Sequence, residues 1–169
     1  MGLDMYLSAR EYVNRHDYTG GWENKTVRPE FEQVINATDL SAFVPADSIY
    51  GANVTTVTAY WRKANAIHQW FVDNVQNGED DCKEYYVSTE DLQKLADVCR
   101  DVIAHKDDPA YCEDVLPTSS GFFFGSTEID EWYFQDIIYT AERLDEILAT
   151  YRKRAAEGKY VDFTYQSSW

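Results

Sequence analysis

The chain has 169 residues, a length that predicts one domain spanning 1–169 with a substantial core. Apolar residues make up 44% of it and aromatic residues 15%, which excludes an intrinsically disordered chain. The formal net charge of −15 argues against direct binding to nucleic acid, because phosphate contacts require basic patches.

The first third of the chain predicts two strands and one short helix. Leu3, Met5 and Leu7 alternate with polar residues, a period typical of a strand with one buried face. Pro29 suits the first position of a helix, where its missing N–H costs nothing. We therefore expect a strand at 2–13, an exposed loop at 14–29, a helix at 30–36, irregular structure at 38–52 and a β-branched strand at 53–60.

The period changes at Trp61-Arg62, where we expect the second strand to lead into a helix over residues 62–76. Asn77-Gly78 ends this helix, since glycine adopts the left-handed cap conformation without steric cost. Its apolar stripe consists of Ala64, Ile67, Trp70, Phe71 and Val75. The polar side chains predicted to lie off the stripe are Arg62, Lys63, Asn65 and His68.

Residues 73–114 are the most acidic part of the chain, with 13 acidic and four basic side chains. They include the run Glu79-Asp80-Asp81, close to the end of the predicted helix. Such a segment is commonly a solvated face. The alternative is a surface that docks a basic partner or imitates the phosphates of DNA.

The remaining chain predicts two further helices and three short strands. Ser88 caps the first helix, whose apolar stripe includes Cys99 as a buried free thiol. The three cysteines have neither a disulfide framework nor a zinc signature. We expect strands at 84–87, 122–124 and 160–165, a helix from Ser88 to about His105, a break at 107–109, and the longest helix at 128–157, capped by Ser126 or Thr127.

These elements predict an α+β fold, with three substantial helices packed on a small, mostly antiparallel sheet. The strands near the two ends of the chain, at 3–7 and 160–165, are candidates for pairing. The sequence shows neither a signal peptide nor a long apolar run, so we expect a soluble cytoplasmic protein without membrane contact. Its oligomeric state stays open.

The chain resembles an uncharacterised family of small acidic proteins from tailed-phage and prophage genomes. The shared motifs are Met1-Gly2-Leu3-Asp4-Met5-Tyr6-Leu7, Tyr60-Trp61-Arg62-Lys63-Ala64-Asn65, Asn77-Gly78-Glu79-Asp80-Asp81-Cys82, and Gly121-Phe122-Phe123-Phe124-Gly125-Ser126-Thr127. The resemblance implies expression in the cytoplasm of an infected bacterium, from genes often used to redirect or disarm the host. It implies no catalytic residue.

Arg62 and Lys63 are candidates for binding an anion, because a helix N-terminus adds free N–H groups and positive dipole to their charges. A second loop-to-helix junction, rich in hydroxyls, could complete a phosphate site, with Trp61 or Trp132 stacked on a base. The alternative is a surface ion pair beside an ordinary turn. The candidate residues are Trp61, Arg62, Lys63, Asn65, His68, Thr118, Ser120, Gly121, Gly125, Ser126, Thr127 and Trp132.

His68 has two possible roles. It could act as a general base or bind a metal with Asp80, Asp81 or Cys82, but a helical histidine with one satisfied hydrogen bond is far more common. The acidic run also lacks the ligand spacing of a calcium loop. We therefore expect no catalytic residue, no metal and no cofactor.

Three functional hypotheses follow. The first is a binding protein that captures a phosphorylated small molecule, such as a nucleotide signal of bacterial defence. The second is an acidic protein that occludes a host DNA-binding protein through Glu79, Asp80 and Asp81. The third is a small nucleotide hydrolase that uses His68 with a carboxylate. We favour binding over catalysis, and a ligand pocket over charge mimicry.

Overall fold

The computed structural model describes residues 2–121 and 123–169, and these residues form the predicted α+β fold. They contain five α-helices, a four-stranded antiparallel sheet and a two-stranded sheet. The strands are β1 (Asp4–Val13), β2 (His16–Asp17), β3 (Thr26–Val27), β4 (Ala52–Arg62), β5 (Tyr85–Val87) and β6 (Val161–Ser168). The helices are α1 (Pro29–Ala37), α2 (Asn65–Asn74), α3 (Thr89–Ala104), α4 (Pro109–Val115) and α5 (Glu131–Ala156).

Spatial contacts divide the chain into two units. One unit is Arg10–Thr55, with α1, the small β2–β3 sheet and short 3₁₀ turns. Phe31 is its buried apolar side chain among the described residues, and the Arg15 guanidinium holds a loop by donating to the carbonyls of Pro45 and Ser48, both at 2.8 Å. The other unit combines the segment before Arg10 with Thr56–Trp169, and it contains every residue of the candidate site described below.

The four-stranded sheet has the order β4-β1-β6-β5, and the larger unit contains β5, β6 and most of β1 and β4. The predicted pairing of the strands near the two chain ends is therefore confirmed, because β1 and β6 are neighbours. In the antiparallel pair of β5 and β6, Tyr85 lies opposite Tyr165 and Val87 opposite Phe163. Leu3, Met5 and Leu7 are fully buried, as their alternation predicts.

Helix α3 follows its sequence pattern closely. The Ser88 hydroxyl accepts a hydrogen bond from the Asp91 N–H at 3.0 Å, so the predicted cap is confirmed. Cys99 is a buried free thiol, as expected, and burial raises its pKa to about 12. The other buried members of the stripe, which face α5 and the sheet core, are Leu92, Leu95, Ala96 and Val102.

The boundary between β4 and α2 was predicted wrongly. Strand β4 continues to Arg62, and α2 begins at Asn65. Lys63 adopts a left-handed conformation (φ 62°) while its N–H donates to the Leu3 carbonyl at 2.8 Å. This bond to the residue before β1 holds the end of β4 in place, and the left-handed Lys63 then turns the chain into the helix.

The start of α5 also differs from the expectation. Its cap is Asp130 rather than Ser126 or Thr127, because the Asp130 carboxylate accepts from the N–H groups of Trp132 and Tyr133 at 2.9 and 3.0 Å. A carboxylate at this position satisfies two free donors of the first turn.

Two other predictions between α3 and α5 need correction. Pro109 opens the short helix α4, capped by Asp108, instead of only breaking the chain. The predicted strand at 122–124 is absent among residues 121 and 123–127, which form a turn and a loop. Phe122 lies outside the described residues.

Candidate functional site

The turn between β4 and α2 is strained and closely packed. A left-handed conformation costs a residue other than glycine about 1–2 kcal/mol, and such residues often cluster at functional sites. Lys63 holds this conformation directly beside Gly125. A Cβ atom added to Gly125 would lie 3.2 Å from the Cβ of Lys63 and 3.4 Å from its carbonyl oxygen. The loop carrying Gly125 therefore lies against the start of α2.

Asn65 fixes this loop in place. Its Nδ2 donates to the carbonyls of Phe124 at 3.0 Å and Ser126 at 2.7 Å, and its Oδ1 accepts from the Ser119 N–H at 3.0 Å. Asparagine suits the position because its side chain supplies two donors and one acceptor group. The prediction that Asn65 lies away from the buried face is wrong, because its side chain is buried under the loop.

A cavity of about 350 Å³ opens at this junction. Its walls come from the β4–α2 turn, the loop between α4 and α5, and the first turns of α5. The volume falls within the usual range of small-molecule sites, about 300–1,000 Å³. The described residues that line it are Arg62, Lys63, Ala64, Asn65, Ala66, Ile67, Thr118, Gly125, Ser126, Glu128, Asp130, Trp132, Tyr133, Asp136 and Ile137.

One wall of the cavity is suited to an anion. The exposed side chains of Arg62 and Lys63 form no ion pair with a carboxylate in the described part of the chain. Helix α2 has no side-chain cap, and the N–H groups of Ala66 and Ile67 have no acceptor among residues 2–121 and 123–169. Two free amides beside two free cations are the groups that bind phosphate at a helix N-terminus.

A second wall of the cavity is acidic. Glu128, Asp130 and Asp136 line the cavity from the loop before α5 and from its first turns. Burial, and secondarily the neighbouring Asp130 carboxylate, raises the pKa of Asp136 to about 6. Arg62 and Lys63 line the same cavity, but neither forms an ion pair with Asp136 within the described chain.

This raised pKa predicts that Asp136→Asn stabilises the protein at alkaline pH. The folded carboxyl binds its proton near pH 6 and the unfolded one near 3.8, so the folded state loses stability as the pH rises between these values. After allowance for partial exposure, we expect Asp136→Asn to raise the free energy of unfolding by about 1–2 kcal/mol at pH 8 and to change it little at pH 4. Urea titrations at both pH values measure this; an equal effect at both, or a loss at pH 8, would contradict it.

The structure brings seven of the twelve predicted ligand-binding residues to the cavity. Trp132 lines the cavity and is 72% exposed, so its indole ring is accessible to a ligand. Ser120, Gly121 and Thr127 are exposed but do not line the cavity. The seven lining residues are Arg62, Lys63, Asn65, Thr118, Gly125, Ser126 and Trp132.

The remaining two candidates are part of the core. Trp61 is only 2% exposed, and its Nε1 donates to the Thr140 hydroxyl at 2.8 Å. It therefore presents no face for a nucleotide base, and the prediction of stacking on Trp61 is wrong.

His68 is 0% exposed and lies outside the cavity lining, contrary to the expectation that it faces away from the core. Its Nδ1 lies 2.7 Å from the Tyr165 hydroxyl and its Nε2 lies 3.1 Å from an Asp80 carboxylate oxygen. We assign the proton to Nε2, because the carboxylate accepts it and Nδ1 then accepts from Tyr165. The described residues contain no cluster that could hold a metal ion. His68 thus connects α2 to β6 and to the acidic run.

The acidic run is also partly engaged inside the chain. Asp80 accepts from His68 and from the Trp169 indole N–H at 3.0 Å. Asp81 pairs with the Lys83 ammonium at 2.5 Å, and this hydrogen bond to Lys83 is the main reason that its pKa is lowered. Glu79 is the exposed member of the run.

Sequence reasoning missed the acidic wall of the cavity. Asp130 precedes a helix and carries the signature of a cap, which could have marked it as the start of α5. Asp136 lies three residues after Tyr133 and four before Thr140, and both are buried, so helical spacing gave one signal of its partial burial. Nothing local in the sequence shows that either residue faces the same cavity as Arg62.

No family model matches this chain, and neither a curated protein nor a solved structure is similar to it. Among the described residues, every helix is too short or too polar to cross a lipid bilayer.

Proposed function

We propose that this protein binds a phosphorylated small molecule in the cavity at the β4–α2 junction. One observation carries the proposal: a cavity of about 350 Å³ combines the unpaired cations Arg62 and Lys63 with the free N–H groups of Ala66 and Ile67. The formal net charge of −15 repels anions at long range. An anion would therefore bind this chain because of the cations and amides arranged at the cavity, and not because of long-range attraction.

The proposed role is binding rather than catalysis. The cavity offers cations, amides and an exposed aromatic face at Trp132, while the one fully buried histidine, His68, lies outside its lining. We further propose, from the resemblance to phage and prophage proteins, that the chain is phage-encoded and acts in the host cytoplasm. Its ligand would then be a nucleotide or related signal of host defence.

Two alternative functions have less support. Docking through Glu79, Asp80 and Asp81 would compete with the bonds that the two aspartates make within the chain. A nucleotide hydrolase acting through His68 would need that ring to reach a substrate, and it is fully buried between Tyr165 and Asp80.

A ligand screen tests the proposal. We expect inorganic phosphate, nucleoside monophosphates or cyclic nucleotides to raise the melting temperature, whereas the matching nucleosides do not. A ligand at 100 times its Kd should add about 2.7 kcal/mol to the free energy of unfolding. Calorimetry then gives the affinity of each compound that stabilises the protein. If no phosphorylated compound stabilises it, the proposal is wrong.

A further inference from the structure

The two walls of the cavity carry opposite charges that do not neutralise each other. The cations Arg62 and Lys63 lie at the β4–α2 turn, and the carboxylates of Glu128, Asp130 and Asp136 lie on the α5 side. No ion pair joins the two sets in the described part of the chain. A ligand in this cavity therefore meets both kinds of charge at once.

Among the three carboxylates of the acidic wall, the half-buried Asp136 is the one that most needs a hydrogen-bond partner. Its carboxylate has no hydrogen-bond donor among residues 2–121 and 123–169, whereas Asp130 uses one carboxylate oxygen to cap α5. A partly buried carboxylate without a donor is unfavourable, and a nearby anion would make it more so. A ligand N–H group that donates to Asp136 would supply the missing donor and reduce the repulsion between the carboxylate and the bound anion.

We propose that the ligand is a phosphate monoester that also carries an amino group, with its phosphate at Arg62 and Lys63 and its N–H donors at Asp136. This inference rests on the proposed function and narrows its ligand class. Two sources supply such a molecule: an alkyl phosphate with an ammonium group, or a nucleotide with an exocyclic amino group on a base that covers Trp132. Polyphosphates fit poorly, because their extra charge would face the three carboxylates.

Matched pairs of ligands test this inference. The alkyl pair is 2-aminoethyl phosphate against ethyl phosphate, and the nucleotide pair is guanosine against inosine monophosphate. In one of the two pairs, we expect the amino-bearing compound to bind about tenfold more tightly, since a hydrogen bond to a charged group has that value. The pair that shows the difference identifies the source.

Asp136→Asn tests whether this carboxylate causes the preference. We expect the variant to lose the roughly tenfold advantage of the amino compound while it binds the compound without an amino group at least as well as wild type. Equal affinities within both pairs on the wild-type protein would overturn the inference. A uniform gain in affinity for every phosphate in Asp136→Asn would also overturn it, since the carboxylate would then only repel.

These outcomes separate the inference from the proposed function. If phosphates bind and depend on Arg62 but show no amino preference, the inference fails and the proposed function stands. If no phosphate binds the wild-type protein, both fail.

Discussion

Replacing Phe71 with alanine is expected to lower the free energy of unfolding by about 3–5 kcal/mol. Phe71 is 0% exposed, and its ring stacks on Tyr165 with centroids 3.9 Å apart and an interplanar angle of 9°. The rings of Trp61 and Trp70 also contact it. Alanine would remove these contacts and leave a cavity between α2 and β6 that the packed neighbours cannot fill.

Urea titration of the two proteins measures this loss. Phe43→Ala provides the matched control, because that ring is 80% exposed and its removal should change stability by no more than about 0.5 kcal/mol. A loss below about 1 kcal/mol for Phe71→Ala would contradict the assignment of this ring to the centre of the core.

The second large effect concerns binding. We expect Arg62→Ala to weaken phosphate binding by about 1.5–3 kcal/mol, or roughly 10- to 150-fold, the range for hydrogen bonds to charged groups. Arg62→Lys should lose part of this affinity, because an ammonium cannot reproduce the two parallel bonds of a guanidinium. Stability should change little in both variants, since Arg62 is exposed and has no ion pair in the described chain.

Arg152→Ala is the matched control for charge. Arg152 is an exposed cation that donates to Gln93, about 22 Å along α5 from the cavity residue Ile137. Its removal makes the same change in net charge and should leave the affinity nearly unchanged. If Arg62→Ala and Arg152→Ala weaken phosphate binding equally, only the overall charge matters and the assignment of Arg62 to the site is wrong.

Local sequence patterns predicted the structure correctly where residues close together along the chain determine it. The cap at Ser88 and the stripe of α3 need only residues within one helix. The alternation at Leu3, Met5 and Leu7 likewise predicted a strand with one buried face.

Local patterns failed where a distant segment determines the structure. The α2 boundary depends on the Leu3 carbonyl, which accepts from the N–H of Lys63 directly after β4 and so fixes the turn before the helix. The burial of His68 depends on Tyr165, which lies 97 positions further along the chain. From the sequence alone, a polar residue beside an apolar stripe is predicted to be exposed, because the distant segment that buries it is not known.

The candidate site shows the same division. Its cationic half comes from one stretch, so Arg62 and Lys63 could be proposed as an anion site from the sequence. Its acidic half comes from α5, and Asp136 reaches the cavity only through the packing of that helix against α2. The charge separation inside the cavity was therefore not predictable from the sequence.

Phosphate bound at the first turn of α2 would be reported most directly by the amide resonances of Ala66 and Ile67. We expect both resonances to shift when inorganic phosphate is added to the wild-type protein, and to saturate with the Kd found by calorimetry. In Arg62→Ala the same shifts should require higher phosphate concentrations. Unchanged resonances of Ala66 and Ile67, with shifts confined to other cations such as Arg152 and Lys153, would contradict the account.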